Sequence, residues 1–266
     1  MGAVGMSGDF GEQDSVRQIV RDLSQWLAWE TEAGLDDFPV EQVAPPLTQS
    51  AAHPQSPPPR VRPTGPHAAP PPTQAPSRAR AGESLADIRR DLGSCMRCGL
   101  HEGRRNIVFG VGDPRAELMI IGEAPGRQED ISGEPFVGRA GKLLNRMLEA
   151  IGLGREKVYI ANVLKCRPPR NRDPEHEEIA TCSPFLHRQV NAIGPKVIMT
   201  VGRFASQNII GSEKSMGQLR KEVRSVAGVP VVATYHPAYL LRNPRMKRAA
   251  WEDLLKVRAI LRDASI

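Results

Sequence analysis

Apolar residues recur after residue 83 in short segments of two kinds. Four apolar runs predict buried strands at 117–122, 157–165, 196–202 and 229–237. Around them, helical spacing predicts helices at 84–92, 138–152, 174–193 with an interruption at Pro184, 203–210 and 243–264. Strands that alternate with helices favour a mainly parallel sheet covered on both faces. We therefore predict an α/β domain over 83–266, with three α/β/α layers around a central four-stranded sheet.

The first 82 residues differ from this domain in composition. In an acidic region, 1–41, five apolar residues at helical spacing predict one amphipathic helix: Val16, Ile19, Val20, Leu23 and Leu27. That helix either packs on its own domain or binds a protein partner. Residues 42–82 hold 12 of the 24 prolines. We expect a disordered linker there, because such a segment cannot bury a core.

Charge is distributed unevenly along the chain. Residues 1–41 hold nine acidic and two basic side chains, whereas residues 83–266 hold 30 basic and 21 acidic ones. A basic domain attracts polyanions, because each phosphate that it contacts releases counterions. No stretch approaches the roughly 18 consecutive apolar residues of a membrane helix. The N-terminus also lacks the basic start and apolar run of a secretory signal. We therefore expect a cytoplasmic protein that does not bind membranes.

All four cysteines lie in the predicted domain. Cys95 and Cys98 form a C-x-x-C pair, 67 residues separate Cys98 from Cys166, and 15 separate Cys166 from Cys182. Four thiolates of this kind can bind one metal centre. Disulfides are disfavoured in a cytoplasmic protein, and four unconnected buried thiols are the other alternative. Spacing does not distinguish zinc from a four-iron cluster, because a thiolate tetrad suits both.

Three loops follow predicted strands, at the edge where parallel sheets bind ligands. In the first loop, Gly122, Glu123 and Ala124 precede a Pro-Gly turn, which brings backbone close to a ligand. Further along, Phe136 precedes glycines that open a helix, and helix N-termini favour anions. The glycine spacings of the common nucleotide-binding motifs are absent from this loop.

The second loop follows the second strand. Asn162 is expected at the mouth of the sheet, where its amide can donate to and accept from a base edge. An asparagine at a strand end is also common as a structural residue. Arg167, Arg170 and Arg172 follow, with Asn171 among them, and such a cluster suits phosphate contacts.

The third loop follows the last strand. His236 precedes Pro237, which restrains the histidine at a turn from which it can hydrogen-bond a leaving group. Leu240 and Leu241 are apolar residues in a loop, with Arg242 beside them. Such residues suit a wedge inserted into DNA, although they can equally pack on the final helix.

Together these motifs resemble the family-four, iron–sulfur uracil-DNA glycosylases over about residues 84–262. The shared motifs, in family order, are C-x-x-C, GEAPGRQED, EPFVGRAGKLLNR, NVLKCRPPRNRDP, the fourth cysteine and HPAYLLRNP. The resemblance implies an enzyme that flips uracil out of DNA and hydrolyses its N-glycosidic bond, leaving an abasic site for base excision repair. It also implies the three-layer fold of that superfamily. We expect a monomer.

The resemblance implies a cluster site and a uracil pocket. A structural [4Fe–4S] cluster would be held by Cys95, Cys98, Cys166 and Cys182. The uracil pocket would be lined by Gly122, Glu123, Ala124, Phe136, Asn162 and His236. In it, Phe136 would stack on the flipped base, Asn162 would bind the polar edge of the base, and His236 would donate to uracil O2.

DNA contacts outside the pocket are implied for five side chains: Arg170, Arg172, Leu240, Leu241 and Arg242. The two leucines would fill the gap that the flipped nucleotide leaves. The residue that orients the attacking water stays open, because Ala124 stands where a related family has an aspartate. Three polar side chains remain as candidates for this catalytic role beside His236, namely Glu123, Glu129 and Asn171, and we favour Glu129.

The sequence leaves three other functions open. One is a uracil-DNA binder that is trapped covalently on its product, although the basic loop with a reactive histidine that marks such proteins is not found. Another is a non-enzymatic, cluster-bearing module that binds nucleic acid. The third is a glycosylase of wider scope that also removes hypoxanthine or xanthine.

Overall fold

The computed structural model of the protein describes residues 82–263. The predicted N-terminal helix and nearly all of the proline-rich linker lie outside the described residues. Between residues 82 and 263, no helix is both long and apolar enough to span a membrane.

Six strands form a single mixed sheet. In chain order they are β1 (Val111–Gly112), β2 (Leu118–Gly122), β3 (Tyr159–Asn162), β4 (Val197–Val201), β5 (Arg224–Val226) and β6 (Val229–Thr234). Their spatial order is β1-β3-β2-β4-β6-β5. The four central strands are parallel, whereas β1 and β5 pair antiparallel at the two edges. The predicted four-stranded parallel core is confirmed, and two short edge strands extend it.

Eight helices surround this sheet within the described residues. They are α1 (Leu85–Leu92), α2 (Arg127–Ser132), α3 (Arg139–Glu149), α4 (His176–Ile193), α5 (Arg203–Ile210), α6 (Met216–Leu219), α7 (Pro237–Arg242) and α8 (Lys247–Asp263). Alternate residues of β2 face opposite layers, as the period of a strand requires. Leu118 and Ile120 pack in a core with α3 and α8, and Met119 and Ile121 pack in a second core with α4 and α5. The predicted three-layer architecture is confirmed.

Three predicted elements differ from the observed ones. Helix α4 continues through Pro184, although this residue has no N–H group to donate to the preceding turn. The segment after β6 was expected to be a loop, but Pro237 begins the short helix α7, because proline suits the first position of a helix. The last helix starts at Lys247, after a 3₁₀ turn at Pro244–Met246, rather than at residue 243.

Candidate active site and cysteine cavity

Three loops meet at the carboxyl ends of β2, β3 and β6 and enclose a cleft of about 1100 Å³, counting its open mouth. Nine of the predicted site residues line it: Glu123, Ala124, Glu129, Phe136, Asn162, Asn171, Arg172, His236 and Arg242. The switch from strand to loop occurs at the same edge in each case because the strands are parallel. The structure thus brings these nine residues together at one edge of the sheet, and their roles stay predictions.

Gly122 forms the floor between two of these side chains. A Cβ atom at this position would lie 2.3 Å from Asn162 Oδ1 and 2.7 Å from Phe136 Cζ. Only glycine therefore lets the asparagine amide and the phenylalanine ring approach each other over the end of β2. Asn162 is 2% exposed. No hydrogen-bond partner for its side-chain amide occurs among residues 82–263, so the amide is available to a ligand in the cleft.

The Phe136 ring is held by an unusual backbone conformation. Its φ angle is +53°, which is uncommon for a bulky residue and requires support from the surroundings. Its ring stacks against His236 with 5.6 Å between centroids and 30° between planes. Behind the ring, the Arg155 guanidinium donates to the carbonyl oxygens of Phe136 at 3.2 Å and Pro135 at 2.5 Å, and to Asn145 Oδ1 at 3.1 Å.

Arg155 was not predicted as a site residue, because it lies in the turn before β3, far from any motif of the cleft. We expect Arg155→Met to weaken uracil binding about tenfold or more, since hydrogen bonds to charged groups contribute roughly 1.5–3 kcal/mol. Phe136 would lose its support while His236 stays in place, so KM should rise more than kcat falls. Steady-state kinetics on a uracil oligonucleotide measures this. Lys157→Met, in the same turn but exposed, is the matched control.

His236 is held as a neutral hydrogen-bond donor. The N–H of Ala238 donates to His236 Nδ1 at 3.1 Å, so the proton of the neutral ring resides on Nε2. Burial, with a smaller contribution from Arg242, lowers the pKa of His236 to about 4, and Glu129 opposes the shift. The imidazole is therefore uncharged at neutral pH, with one N–H group to offer.

Glu129 has a structural partner that the sequence did not reveal. The N–H groups of Val137 and Gly138 donate to its Oε1 at 3.0 and 3.1 Å, so the carboxylate supports the start of α3 just after Phe136. The next residue, Asp130, is buried and holds a different loop. Its Oδ1 accepts from the N–H groups of Arg105, at 2.8 Å, and Asn106, at 3.4 Å.

Glu129 Oε1 already accepts two N–H hydrogen bonds, which gives the carboxylate a structural role and favours another candidate as the water-orienting group. We expect Glu129→Gln to keep cleavage and its pH dependence, since the amide oxygen can accept the same hydrogen bonds. Glu129→Ala should lose uracil affinity, because two N–H groups would be left without their acceptor. Single-turnover assays of the two variants across pH would measure this. Equal, complete loss in both would restore Glu129 as the base.

Glu123 is the carboxyl group in the cleft whose side chain has neither an ion pair nor a hydrogen-bond donor within residues 82–263. Burial, with a smaller contribution from Asp173, raises the pKa of Glu123 to about 7, and Arg203 opposes the shift. Asn171, the third candidate, is exposed, and its Oδ1 accepts from Arg167 Nε at 2.7 Å. Of the three candidates, Glu123 is thus the side chain whose oxygen atoms are free of protein donors.

The predicted DNA-contacting residues separate into two groups. Arg170 and Arg242 are exposed, and Arg242 lies at the rim of the cleft. Arg172, by contrast, donates to both carboxylate oxygens of Glu178, at 2.5 and 2.9 Å, so its charge is already neutralised within the protein. Arg172 therefore forms an ion pair with Glu178, and its contact with a phosphate stays a prediction.

The prediction that Leu240 contacts DNA does not agree with the described conformation. Leu240 is 0% exposed and packs in the core with α3 and α8, because helix α7 turns it away from solvent. Leu241 packs partly against the same core. The apolar side chain that α7 presents outward is Tyr239, which is 36% exposed and lines the cleft. If a wedge enters DNA from this helix in the conformation described, Tyr239 is the residue in place to do so.

The four cysteines line a second cavity of about 310 Å³, counting its open side. Among residues 82–263, no three His, Cys, Asp or Glu side chains lie close enough together to hold a single metal ion. Burial raises the pKa of Cys166, and raises that of Cys182 to about 11, so these thiolates need a cationic partner to form. The four cysteines nevertheless line one common space.

Three of the four sulfurs accept hydrogen bonds. Arg104 Nη1 donates to Cys166 Sγ at 3.3 Å, Arg97 Nη1 approaches Cys95 Sγ at 3.6 Å, and the Lys165 N–H donates to Cys182 Sγ at 3.3 Å. N–H donors around sulfur atoms stabilise negative charge on a thiolate. The cavity therefore has the surroundings of a metal-bound thiolate set.

A model of the uracil DNA glycosylase superfamily matches residues 109–255, more than half of the chain. The chain belongs to the uracil DNA glycosylase superfamily. The Type-4 uracil-DNA glycosylase of Archaeoglobus fulgidus is 49% identical over 183 residues, which are 66% of this chain and 92% of that protein. That of Thermotoga maritima is 42% identical over 184 residues, 68% of this chain and 96% of that protein. The predicted family resemblance is confirmed.

A more distant relative belongs to a different type within the superfamily. The Type-5 uracil-DNA glycosylase of Pyrobaculum aerophilum is 32% identical over 164 residues, which cover 55% of this chain and 71% of that protein. The superfamily range includes all three loops of the cleft, whereas Cys95 and Cys98 precede it.

Proposed function

We propose that this protein is a uracil-DNA glycosylase, which hydrolyses the N-glycosidic bond of deoxyuridine in DNA and releases uracil. The observation that carries the proposal is the cleft itself. A neutral histidine with a free N–H, an asparagine amide without protein partners and a phenylalanine ring meet over Gly122. The names of the Type-4 relatives support the same activity.

Asn162 would discriminate uracil from cytosine. Uracil presents an N3–H donor beside an O4 acceptor, and cytosine presents the opposite pattern at these positions. Because the Asn162 amide is buried at the end of β3, it cannot reorient freely toward solvent when the wrong base enters. Cytosine would leave buried polar groups unpaired, which is the strong form of discrimination between similar substrates.

His236 would stabilise the leaving group. As the glycosidic bond breaks, negative charge develops on uracil, and its O2 atom would accept the hydrogen bond from His236 Nε2. A neutral donor already oriented by the Ala238 N–H needs no rearrangement when this charge appears. The electrons of the broken bond remain on uracil, and the sugar becomes cationic at C1′.

Glu123 would orient and deprotonate the water that attacks C1′. Its ionised form accepts a proton from water, hydroxide oxygen bonds to C1′, and an abasic sugar results. A raised pKa near 7 suits a general base that works at neutral pH. The same carboxylate would also stabilise the cationic sugar before water adds.

The nucleotide must leave the duplex to reach this cleft, at a cost of a few kcal/mol. Exposed Arg170 and Arg242 would bind flanking phosphates, and Tyr239 lines the cleft beside them. Stacking on Phe136 would recover about 1–3 kcal/mol.

The four cysteines would hold a [4Fe–4S] cluster. Their side chains line one cavity, and three of the sulfurs accept N–H hydrogen bonds, which suits a cluster bound by thiolates. Bound there, the cluster would crosslink the α1 loop, the end of β3 and helix α4. Iron and sulfide analysis with a visible spectrum tests this, and stoichiometric zinc in place of iron would contradict it.

The activity is tested by incubating the full-length protein with an oligonucleotide that contains one uracil and then adding alkali. We expect strand breaks at uracil and none in matched oligonucleotides with cytosine or thymine. DNA binding without breaks would contradict turnover, and an adduct on a denaturing gel would indicate a trapping protein. An oligonucleotide that contains hypoxanthine tests whether the enzyme also removes this base. The monomeric state and the cytoplasmic location remain predictions from the sequence.

A further inference from the structure

Lys165 is a charged side chain in the interior of the domain. Only 1% of it is exposed. Its Nζ donates to the backbone carbonyl oxygen of Asn162 at 2.8 Å and to Gln189 Oε1 at 2.7 Å. Both acceptors are neutral. Within the described range, 82–263, no carboxylate forms an ion pair with Lys165. Arg220, whose side chain is 14% exposed, does pair with a carboxylate, Asp253, at 2.9 Å.

A buried ammonium group without an opposite charge is costly, because neutral acceptors replace only part of its hydration. A group bound in the cysteine cavity can supply the missing negative charge. Lys165 lines that cavity, precedes Cys166 in the chain, and donates its backbone N–H to Cys182 Sγ at 3.3 Å. A cluster bound by four thiolates carries net negative charge next to this ammonium group.

Lys165 also contacts Asn162, the residue that we propose recognises uracil. Lys165 holds the carbonyl of Asn162, which is the last residue of β3, so it restrains the backbone that carries the amide into the cleft. Gln189 is fixed in turn, because its Nε2 donates to the Phe109 carbonyl at 2.9 Å and to Tyr159 Oη at 3.3 Å. This arrangement directs Oε1 of Gln189 toward the ammonium group.

We propose that Lys165 is a positioning residue that takes the cysteine-bound cluster as its counter-ion and thereby holds Asn162 in place for uracil. This inference rests on the proposed function and on the cluster assignment. It gives the cluster a part in base recognition without contact with DNA. Loss of the cluster would leave the ammonium group uncompensated, and the segment from Asn162 to Cys166 would have to rearrange.

The test uses Lys165→Met, an apolar side chain of similar length, in the full-length, cluster-loaded protein. We expect the variant to lose its visible iron–sulfur absorption about 10- to 100-fold faster in the presence of a chelator, as is typical when a contact to metal ligands is removed. We also expect slower uracil cleavage, measured before any cluster is lost. In an Asn162→Ala background the additional effect of Lys165→Met on cleavage should disappear, because Lys165 acts through Asn162.

Arg104→Met is the matched control. It removes a different cation that contacts the cysteines, at Cys166, but has no contact with Asn162. In the double variant with Asn162→Ala, the fold losses in cleavage rate caused by the two substitutions should multiply. If the effects of Lys165→Met and Asn162→Ala also multiply, or if Lys165→Met keeps its cluster as long as the wild type, the proposal is overturned. Failure of the proposed function itself is distinct, since the wild-type protein would then not cleave uracil DNA.

Gln189→Glu tests the counter-ion directly and keeps the test decisive if Lys165→Met does not fold. It places a carboxylate 2.7 Å from Lys165, where the amide oxygen now lies. The fall in melting temperature when a chelator removes the cluster should then be smaller than in the wild type, because the ammonium group keeps a partner. An equal fall in both proteins would overturn the inference, as would a wild-type protein that binds no iron.

Discussion

Replacing His236 with alanine is expected to slow uracil release by about 10²–10³-fold, the loss seen when one donor to a developing anion is removed. The reason is that Nε2 is the ring donor left for the cleft once Nδ1 accepts the Ala238 N–H. Single-turnover cleavage with enzyme in excess over DNA measures the chemical step. DNA affinity should change little, because the ring lies in the cleft and carries no charge at neutral pH.

The matched control for this variant is His176→Ala, since His176 is exposed at the first residue of α4, outside the cleft. That variant should cleave like the wild type. Because the pKa of His236 lies near 4, no change of activity between pH 5 and 9 should be attributable to its protonation. A His236→Ala protein that cleaves as fast as the wild type would contradict the assigned role.

Glu123→Gln is expected to lower the cleavage rate by about 10²–10⁴-fold, the usual contribution of a positioned general base. The wild-type rate should also depend on pH in a defined direction. Glu123 has its pKa raised to about 7, so its basic form is lost as pH falls through 7. Cleavage at subsaturating enzyme should therefore rise with pH through this region and level off above it. The Gln variant should lack this rise.

Constant ionic strength is needed in these profiles, because DNA binding depends strongly on salt. Glu129→Gln is the comparison within the same cleft and should retain the rise of the wild type, since its hydrogen bonds to Val137 and Gly138 do not require a charge. If Glu123→Gln keeps the rise and Glu129→Gln loses it, the two assignments must be exchanged.

The position of the cleft could be predicted from sequence because parallel strands end at a common edge. Gly122, Asn162 and His236 each follow an apolar run at or near its end, so the topology brings them together whatever the intervening chain does. The pairing of Gly122 with Asn162 in the sheet register is a direct consequence. Phe136 lies away from a strand end, and only its motif indicated its place.

The partners of individual side chains could not be predicted in the same way. Nothing in the sequence shows that Glu129 binds N–H groups eight and nine residues later, or that Arg155 supports Phe136. The burial of Leu240 depends on the short helix α7, which a six-residue segment does not specify by periodicity. The two edge strands β1 and β5 have two and three residues, too few for an alternating pattern to be recognised.

The consecutive carboxylates of α2 have a consequence for protein engineering. Glu129 holds the loop that carries Phe136, and Asp130 holds the loop that follows the first two cysteines. The two loops are thus held by the same short helix, α2, and inserting or deleting a residue in α2 would shift both loops at once. A designer who transplants this pocket to another scaffold should therefore move helix α2 and both loops together. Loop-length diversity would be better introduced after β5 or in the turn before α6, which contribute nothing to the lining of the cleft.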